Sequence, residues 1–346
     1  MILEILIAGL ISFLAVLVSG QFLVPILAQI GLTAQDINKR TRPILPTSGG
    51  LIFMLGLFAG TLALIFSANY IVNTEINVQL LLLALISAVA ISMIGFIDDL
   101  IGGKIRLSRE NLKKMASNYA LFNGGIKQWQ KPVLTLIAVL PLMMINWGTP
   151  VINIPFIGAV QINQVLFTLL FIPIAVIFSA NVFNMLEGLN GLSLQMGLVA
   201  FIALGLFSFH IQSYTAFAIA VISVGGLLAY IYYGSYPAKI LPGDSLTYLI
   251  GGAFAITVII GNMEALGVIL LIPWFAEFIL KARRRFHANS WGIVQRDDRL
   301  KSPHGNKIYS LTHIFLRTGR FKEWQIVSLL TVVEVVVAAI GLLIVW

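Results

Sequence analysis

The chain has 346 residues, of which 59% are hydrophobic and only 10% charged, and its mean hydropathy is +0.96. A soluble domain carries roughly 25% charged residues, so the composition excludes a string of soluble domains and points to one polytopic, all-α membrane domain over 1–346. The net charge of +8 does not imply nucleic acid, because no soluble domain exists to present a groove, and the absence of cysteine excludes disulfides.

A transmembrane helix needs about 20 apolar residues. Runs near that length lie at 2–30, 49–68, 78–97, 132–147, 162–182, 193–209, 214–233, 246–260, 265–281 and 324–346, which predicts ten spans. The first run, from Ile5, is too long for a signal-peptide core and lacks a basic segment before it, so it reads as a retained helix. Lys and Arg then test the count. Loops 31–48, 98–131, 234–245 and 281–323 hold three, seven, one and eleven of them, which is all 22 in the chain. Because cytoplasmic loops carry the basic excess, these four loops belong on the cytoplasmic side and both termini outside. Some of that charge also serves attraction to anionic headgroups.

Between spans, two segments show a pattern. Residues 104–131 mix Lys, Arg and aromatics with apolar side chains, which suits an amphipathic stretch at the interface. Loop 148–161 alternates apolar with small or polar residues around Gly158, which predicts a short β-hairpin on the outer face.

The residues that carry chemistry gather on the basic side. Asp98-Asp99 ends the third span, where carboxylates oppose the helix dipole. Adjacent helical residues point about 100° apart, so one is expected to face a site and the other to pair with a Lys or support the loop. Asn181, Asn184, Glu187 and Asn190 follow the fifth span, with Gly188 and Gly191 letting backbone approach a ligand. Gly243-Asp244-Ser245 opens the eighth span. There Asp244 reads either as a helix cap or as part of a phosphate site at a helix N-terminus. Arg283-Arg284-Arg285-Phe286-His287, Arg296 and Ser302-Pro303-His304 in the last loop, with Asn38, Lys39 and Ser48 in the first, add donors suited to phosphate. Carboxylate and amide oxygens suit Mg²⁺, which binds through one or two carboxylates plus substrate phosphates. Phosphoryl transfer between a nucleotide and a membrane lipid needs this combination.

These residues resemble a known family. Asp98-Asp99, then Asn181-x-x-Asn184-x-x-x-Gly188-x-Asn190-Gly191-Leu192, then Gly243-Asp244-Ser245 look like the polyprenyl-phosphate N-acetylhexosamine-1-phosphate transferases. Asp36-x-Asn38-Lys39…Pro46-x-Ser48-x-Gly50 and Ile272-Pro273 also fit, so the resemblance covers nearly the whole chain. The asparagine-rich centre is similar to the eukaryotic and archaeal dolichyl-phosphate GlcNAc-1-phosphate transferases. The bacterial phospho-MurNAc-pentapeptide enzymes would show aspartate at position 190 and a late His-x-His-His motif. Three positions depart from the pattern: Leu241 replaces an aromatic that stacks on uracil, Thr47 replaces an acid, and only Arg283, Arg285 and His287 stand near the Cys-Pro-Arg-His-Arg run.

The resemblance implies transfer of GlcNAc-1-phosphate from UDP-GlcNAc to polyprenyl (dolichyl) phosphate, an early membrane step of N-glycan or cell-surface glycan assembly. It implies Mg²⁺, with Mn²⁺ as the alternative, on Asn184 and Asp244. Asp98 would be the catalytic carboxylate, Asp99 its assistant, and Lys131 (with Lys104 as second match) would meet a phosphate. Asn181, Gly188 and Asn190 would line the uridine side, with Lys39, Ser48, Arg283, Arg285 and His287 as further substrate contacts. A homodimer in the cell membrane of an archaeal-like prokaryote, its site facing the cytoplasm, is also implied; in a eukaryote the membrane would be the endoplasmic reticulum. The rivals are another UDP-N-acetylhexosamine as donor, a transporter of lipid-linked or anionic cargo, and a non-catalytic scaffold. Transporters place their site near the midplane, where the only acids here are Glu277 and Glu334, and for Glu334 a helix–helix hydrogen bond or protonation is expected.

Overall fold

The computed structural model describes residues 1–71, 75–102, 126–127, 129–144, 150–154 and 158–346. Among them eight helices are long and apolar enough to cross a membrane. They are α1 (Ile2–Gln29), α2 (Gly50–Tyr70), α3 (Val78–Gly102), α5 (Gln164–Leu186), α6 (Leu192–His210), α7 (Tyr214–Gly234), α8 (Gly243–Gly261) and α12 (Glu323–Val345). The expected span at 132–147 is the shorter α4 (Gln130–Met143), of 14 residues. The expected span at 265–281 is a pair, α9 (Glu264–Leu270) and α10 (Ile272–Ala282), bent by 53°, and the short α11 (Thr312–Leu316) follows in the last loop. Pro273 in the first turn of α10 explains the break, since it lacks an N–H and its ring excludes a continuous helix.

The helices are organised around α8. Every residue from Ser245 to Gly261 is buried, as expected of a helix that is apolar on all sides. It packs against α2, α3, α5, α6 and α7, while α1 and α12 keep apolar faces exposed for lipid. Gly95 lets α3 approach α8 closely, because a Cβ there would lie 2.4 Å from the Asp244 carbonyl oxygen. That crossing sets Asp98 and Asp99 beside Asp244.

The hairpin expected near 148–161 is present: β3 (Val151–Ile154) pairs antiparallel with β4 (Gly158–Gln161). Two further hairpins were not foreseen. β1 (Thr33–Gln35) pairs with β2 (Ile44–Pro46), and β5 (Ile293–Val294) with β6 (Leu300–Lys301). The first hairpin docks on the entrance to α8, where the Leu241 N–H donates to the Pro46 carbonyl at 2.8 Å. Of the segment expected to lie along the interface, residues 104–125 and 128 are outside the described residues.

Candidate active site

At the basic end of the bundle, the Lys131 ammonium on α4 donates to Asp98 Oδ2 at 2.8 Å and to Asp244 Oδ2 at 2.6 Å. It is 6% exposed, whereas Asp98 and Asp244 are 16% and 24% exposed. The cation is thus shut in and the two carboxylates open outward. The backbone N–H of Ile126 adds a 2.6 Å bond to Asp98 Oδ1, tying the preceding loop to the centre. Asn184 Nδ2 donates to Asp244 Oδ2 at 3.1 Å, and the Thr247 hydroxyl donates to Asn184 Oδ1 at 3.1 Å. Asn184 therefore orients Asp244.

Asp99 does a different job from Asp98. Its carboxylate accepts from the N–H of Asp244 at 2.7 Å and of Ser245 at 3.2 Å, and Ser48 Oγ donates to it at 2.9 Å. These N–H groups open α8 and would otherwise lack partners. Gly243, at φ +65, brings the turn so close that a Cβ would lie 2.3 Å from Asp99 Oδ2. Asp99 is thus a cap supplied from another helix. α8 has no side-chain cap of its own, so the Asp244 carboxylate is not consumed as a cap and remains available for ligands.

The rest of the asparagine-rich motif is built into the protein. Asn181 accepts from the Tyr248 hydroxyl at 2.9 Å and donates to the Ile177 carbonyl at 2.7 Å. The Gly188 carbonyl takes Asn38 Nδ2 at 2.7 Å, and Asn38 Oδ1 takes the Gly292 N–H at 3.1 Å. Asn190 Nδ2 donates to Asp36 Oδ2 at 2.8 Å and its N–H to Glu323 Oε1 at 2.7 Å. Lys39 forms ion pairs with Asp36 and Glu323, rather than standing free as the donor expected from the sequence. Glu187 receives the Ser193 N–H at 3.1 Å, and burial raises its carboxyl to about 7, against the opposing hydrogen bonds from Ser193.

Around Glu277, an acid already noted within the ninth expected span, the structure gathers residues of the last loop that the sequence did not single out. Glu277 accepts from the Leu311 N–H at 2.7 Å and from Ser310 and Ser290 hydroxyls at 3.0 and 3.3 Å, and pairs with Lys281. The Lys281 ammonium also donates to the Met185 carbonyl. Glu277 therefore ties the loop to α10. His313 is fully buried; its Nδ1 accepts from the Tyr309 N–H at 3.2 Å and its Nε2 lies 2.8 Å from the Asn289 carbonyl. Burial holds its pKa down to about 4, so the ring is neutral at pH 7. Arg283, Arg285 and His287 are exposed, and no hydrogen bond or ion pair among the described residues links them to the carboxylate centre. Glu334 lies buried in α12 with both oxygens lacking hydrogen-bond partners, so the expected helix–helix bond is not formed among the described residues.

Among the described residues no group of three or more His, Cys, Asp or Glu side chains could hold a metal alone. Mg²⁺ needs only one or two carboxylates, with water and substrate phosphates completing its shell. Two partly open carboxylates and a neighbouring amide match this chemistry. An apolar groove of about 560 Å³ runs between α5, α8, α9 and α10, lined by Phe171, Phe178, Ala255, Val258, Val268 and Phe275 among others.

Comparison with known proteins gives the context. The family described as Glycosyl transferase family 4 matches residues 80–262, which include Asp98, Asp99, Lys131, Asn184 and Asp244. A Sulfolobus acidocaldarius protein provisionally named UDP-N-acetylglucosamine–dolichyl-phosphate N-acetylglucosaminephosphotransferase is 31% identical over 98% of this chain and 96% of its own length. Its Saccharolobus solfataricus counterpart, with the same provisional name, is 33% identical over 99% and 97%. The phospho-N-acetylmuramoyl-pentapeptide-transferase of Clostridium perfringens strain SM101 is 27% identical over 96% and 94%. Full-length similarity and the match across the carboxylate centre lead to one statement: the chain belongs to glycosyl transferase family 4.

Proposed function

We propose that this chain transfers GlcNAc-1-phosphate from UDP-GlcNAc to a polyprenyl phosphate of the dolichyl type, giving polyprenyl-diphospho-GlcNAc and UMP, as one membrane domain over 1–346. The observation that carries this reading is Lys131 held between Asp98 and Asp244 at the mouth of the helices. It is supported by the provisional names of the two archaeal relatives.

In the proposed reaction, an oxygen of the acceptor phosphate attacks the β-phosphorus of UDP-GlcNAc. The bond between that phosphorus and the bridging oxygen breaks, and UMP leaves with the electron pair. A phosphate monoester has a second pKa near 6, so the acceptor is largely dianionic at pH 7. No protein base is then needed to strip a proton, and the work is bringing two anions together by positioning and cations. Lys131 supplies one such cation. Asp244, with Asp98 and Asn184 beside it, is the group that would hold Mg²⁺ or Mn²⁺, which neutralises the diphosphate when bound. The apolar groove accommodates a polyprenyl chain, and the open carboxylates meet the nucleotide from the cytoplasm. The chain works in a cell membrane and as a homodimer on this reading, the latter checked by native mass spectrometry.

The test incubates purified protein with Mg²⁺ and polyprenyl phosphate, offering UDP-GlcNAc, UDP-GalNAc or UDP-MurNAc-pentapeptide separately. The expected result is a diphospholipid carrying GlcNAc and stoichiometric UMP. A lipid product from a different donor alone, or no lipid product from any, overturns the assignment.

A further inference from the structure

Beyond the carboxylate centre, a second recess opens between the first and last basic loops. It measures about 490 Å³ and is lined by Lys39, Arg40, Arg42, Trp291, Ile293 and Arg296, among others, with no carboxylate in its wall among the described residues. None of Asp98, Asp99, Lys131, Asn184 or Asp244 lines it. We propose that this recess is a second anion site, taking the phosphate group of a ligand with an apolar or planar body.

Basic residues that only set topology need not converge, yet here they do. Arg40 and Arg296 are 256 positions apart, and Arg40 Nη1 donates to the Arg296 carbonyl at 3.0 Å. Asn38 fastens the same two loops through the Gly292 N–H at 3.1 Å. Among the described residues, Arg40, Arg42 and Arg296 have no ion pair. Of the nearby acids, Asp36 is engaged by Lys39 and Asn190 and Asp297 by Arg299 at 3.2 Å, and Asp298 is not among the residues lining the recess. Three unpaired guanidiniums, each with a planar fork of donors, match phosphate oxygens. The recess lies within the 300–1,000 Å³ typical of small-ligand pockets. Trp291 and Ile293 are exposed beside the cations, so the site suits a phosphate with an apolar or stacking portion attached.

Both an anionic lipid headgroup and a soluble phosphate ester have this chemistry, and the experiment separates them. Intact, detergent-solubilised protein is treated with chelator, so that no metal assists phosphate binding at the carboxylate centre. In one arm, pyrophosphate is titrated while the melting temperature is followed. In the other, native mass spectrometry counts retained phosphatidylglycerol against phosphatidylcholine. We expect saturable binding in one arm, weakened more than about ten-fold in Arg42→Gln/Arg296→Gln and unchanged in Asp244→Asn; the responding arm identifies the source. Because these arginines are exposed, the double variant is expected to melt like wild type without ligand, and Arg42→Lys/Arg296→Lys is expected to recover part of the binding. No binding by wild type in either arm, equal binding by the Gln variant, or loss in Asp244→Asn overturns the second site. None of these readouts uses sugar transfer, so the outcome is independent of the reading above.

Discussion

Two lysine-centred clusters sit at the basic end of this protein, and they are built in opposite ways. Around Lys131 the cation is buried and its acids, Asp98 and Asp244, are partly open. Around Lys39 the acids are shut in, with Asp36 3% and Glu323 2% exposed, while the lysine is 15% exposed. The Lys39 cluster also spends its carboxylate oxygens on Asn190. A carboxylate shut away from solvent among protein donors holds chain segments together. One that stays partly exposed beside a desolvated cation remains able to meet a ligand. The first cluster thus presents carboxylates that a ligand can reach, and the second positions the central loop.

The largest expected effect is at Asp244. Asp244→Asn should lower Mg²⁺-dependent transfer by about 10²–10³-fold or more, the scale seen when a transition-state charge partner is lost. Its melting temperature should stay near wild type, because Asp99 rather than Asp244 caps α8. Retention of most activity would assign Asp244 to the second, structural kind of cluster.

Asp98→Asn comes next, and its pH profile is the informative part. If Asp98 removed a proton from the acceptor, the variant should recover as the pH rises well above the acceptor pKa near 6. Its bonds to Lys131 and to the Ile126 N–H instead make it an organiser, so the deficit should persist from about pH 6 to pH 9. Initial UMP release at saturating lipid measures this, and recovery to within a few-fold at high pH would restore a base role.

A smaller, different effect is expected in the Lys39 cluster. Glu323→Gln should raise KM for the nucleotide sugar several-fold with kcat within about two-fold, because the Asn190 loop loosens while the Lys131 centre stays intact. Lys39→Met should do the same, and the double variant should cost no more than either single change, as expected for partners in one network. A selective fall in kcat, or additive losses, would erase the distinction between the clusters.

The smallest effect concerns Glu187, whose carboxyl is raised from 4.5 to about 7 by burial. Between these values the folded state holds a proton that the unfolded state has lost. Its contribution is therefore fully present below 4.5 and fades as pH rises through 7. Glu187→Gln should lessen the drop in melting temperature between about pH 5 and pH 8, measured by a fluorescence melt. An unchanged drop would show that this glutamate is already ionised in the fold.

Much of the architecture was legible because a bilayer imposes a length on each helix and charge placement sorts the loops. The runs at 2–30, 193–209 and 214–233 reappear as α1, α6 and α7 almost to the residue. The β1–β2 and β5–β6 hairpins were not, since each strand has only two or three residues and no sustained alternation. At the site, Asp98, Asn184 and Asp244 stood out as polar groups at the ends of apolar runs. Lys131 could be named only alongside Lys104, and Glu323 carries no local signal, because its partners Lys39 and Asn190 are far away in the chain.

By itself, then, the sequence determined that this is a polytopic helical membrane protein with carboxylates, amides and cations at one end of its helices. Hydropathy over about 20 residues and charge along a loop are local properties. Only the tertiary structure decided which of these groups stay open and which are fixed by other parts of the chain. Asp98 and Asp99 are neighbours in sequence, yet one meets Lys131 and the other caps α8. Lys39 meets a glutamate 284 positions away, and Asn190 is fixed by acids from two distant loops. Such pairings depend on where helices cross, as at Gly95 and Gly243, and a crossing is set by packing that no single segment contains.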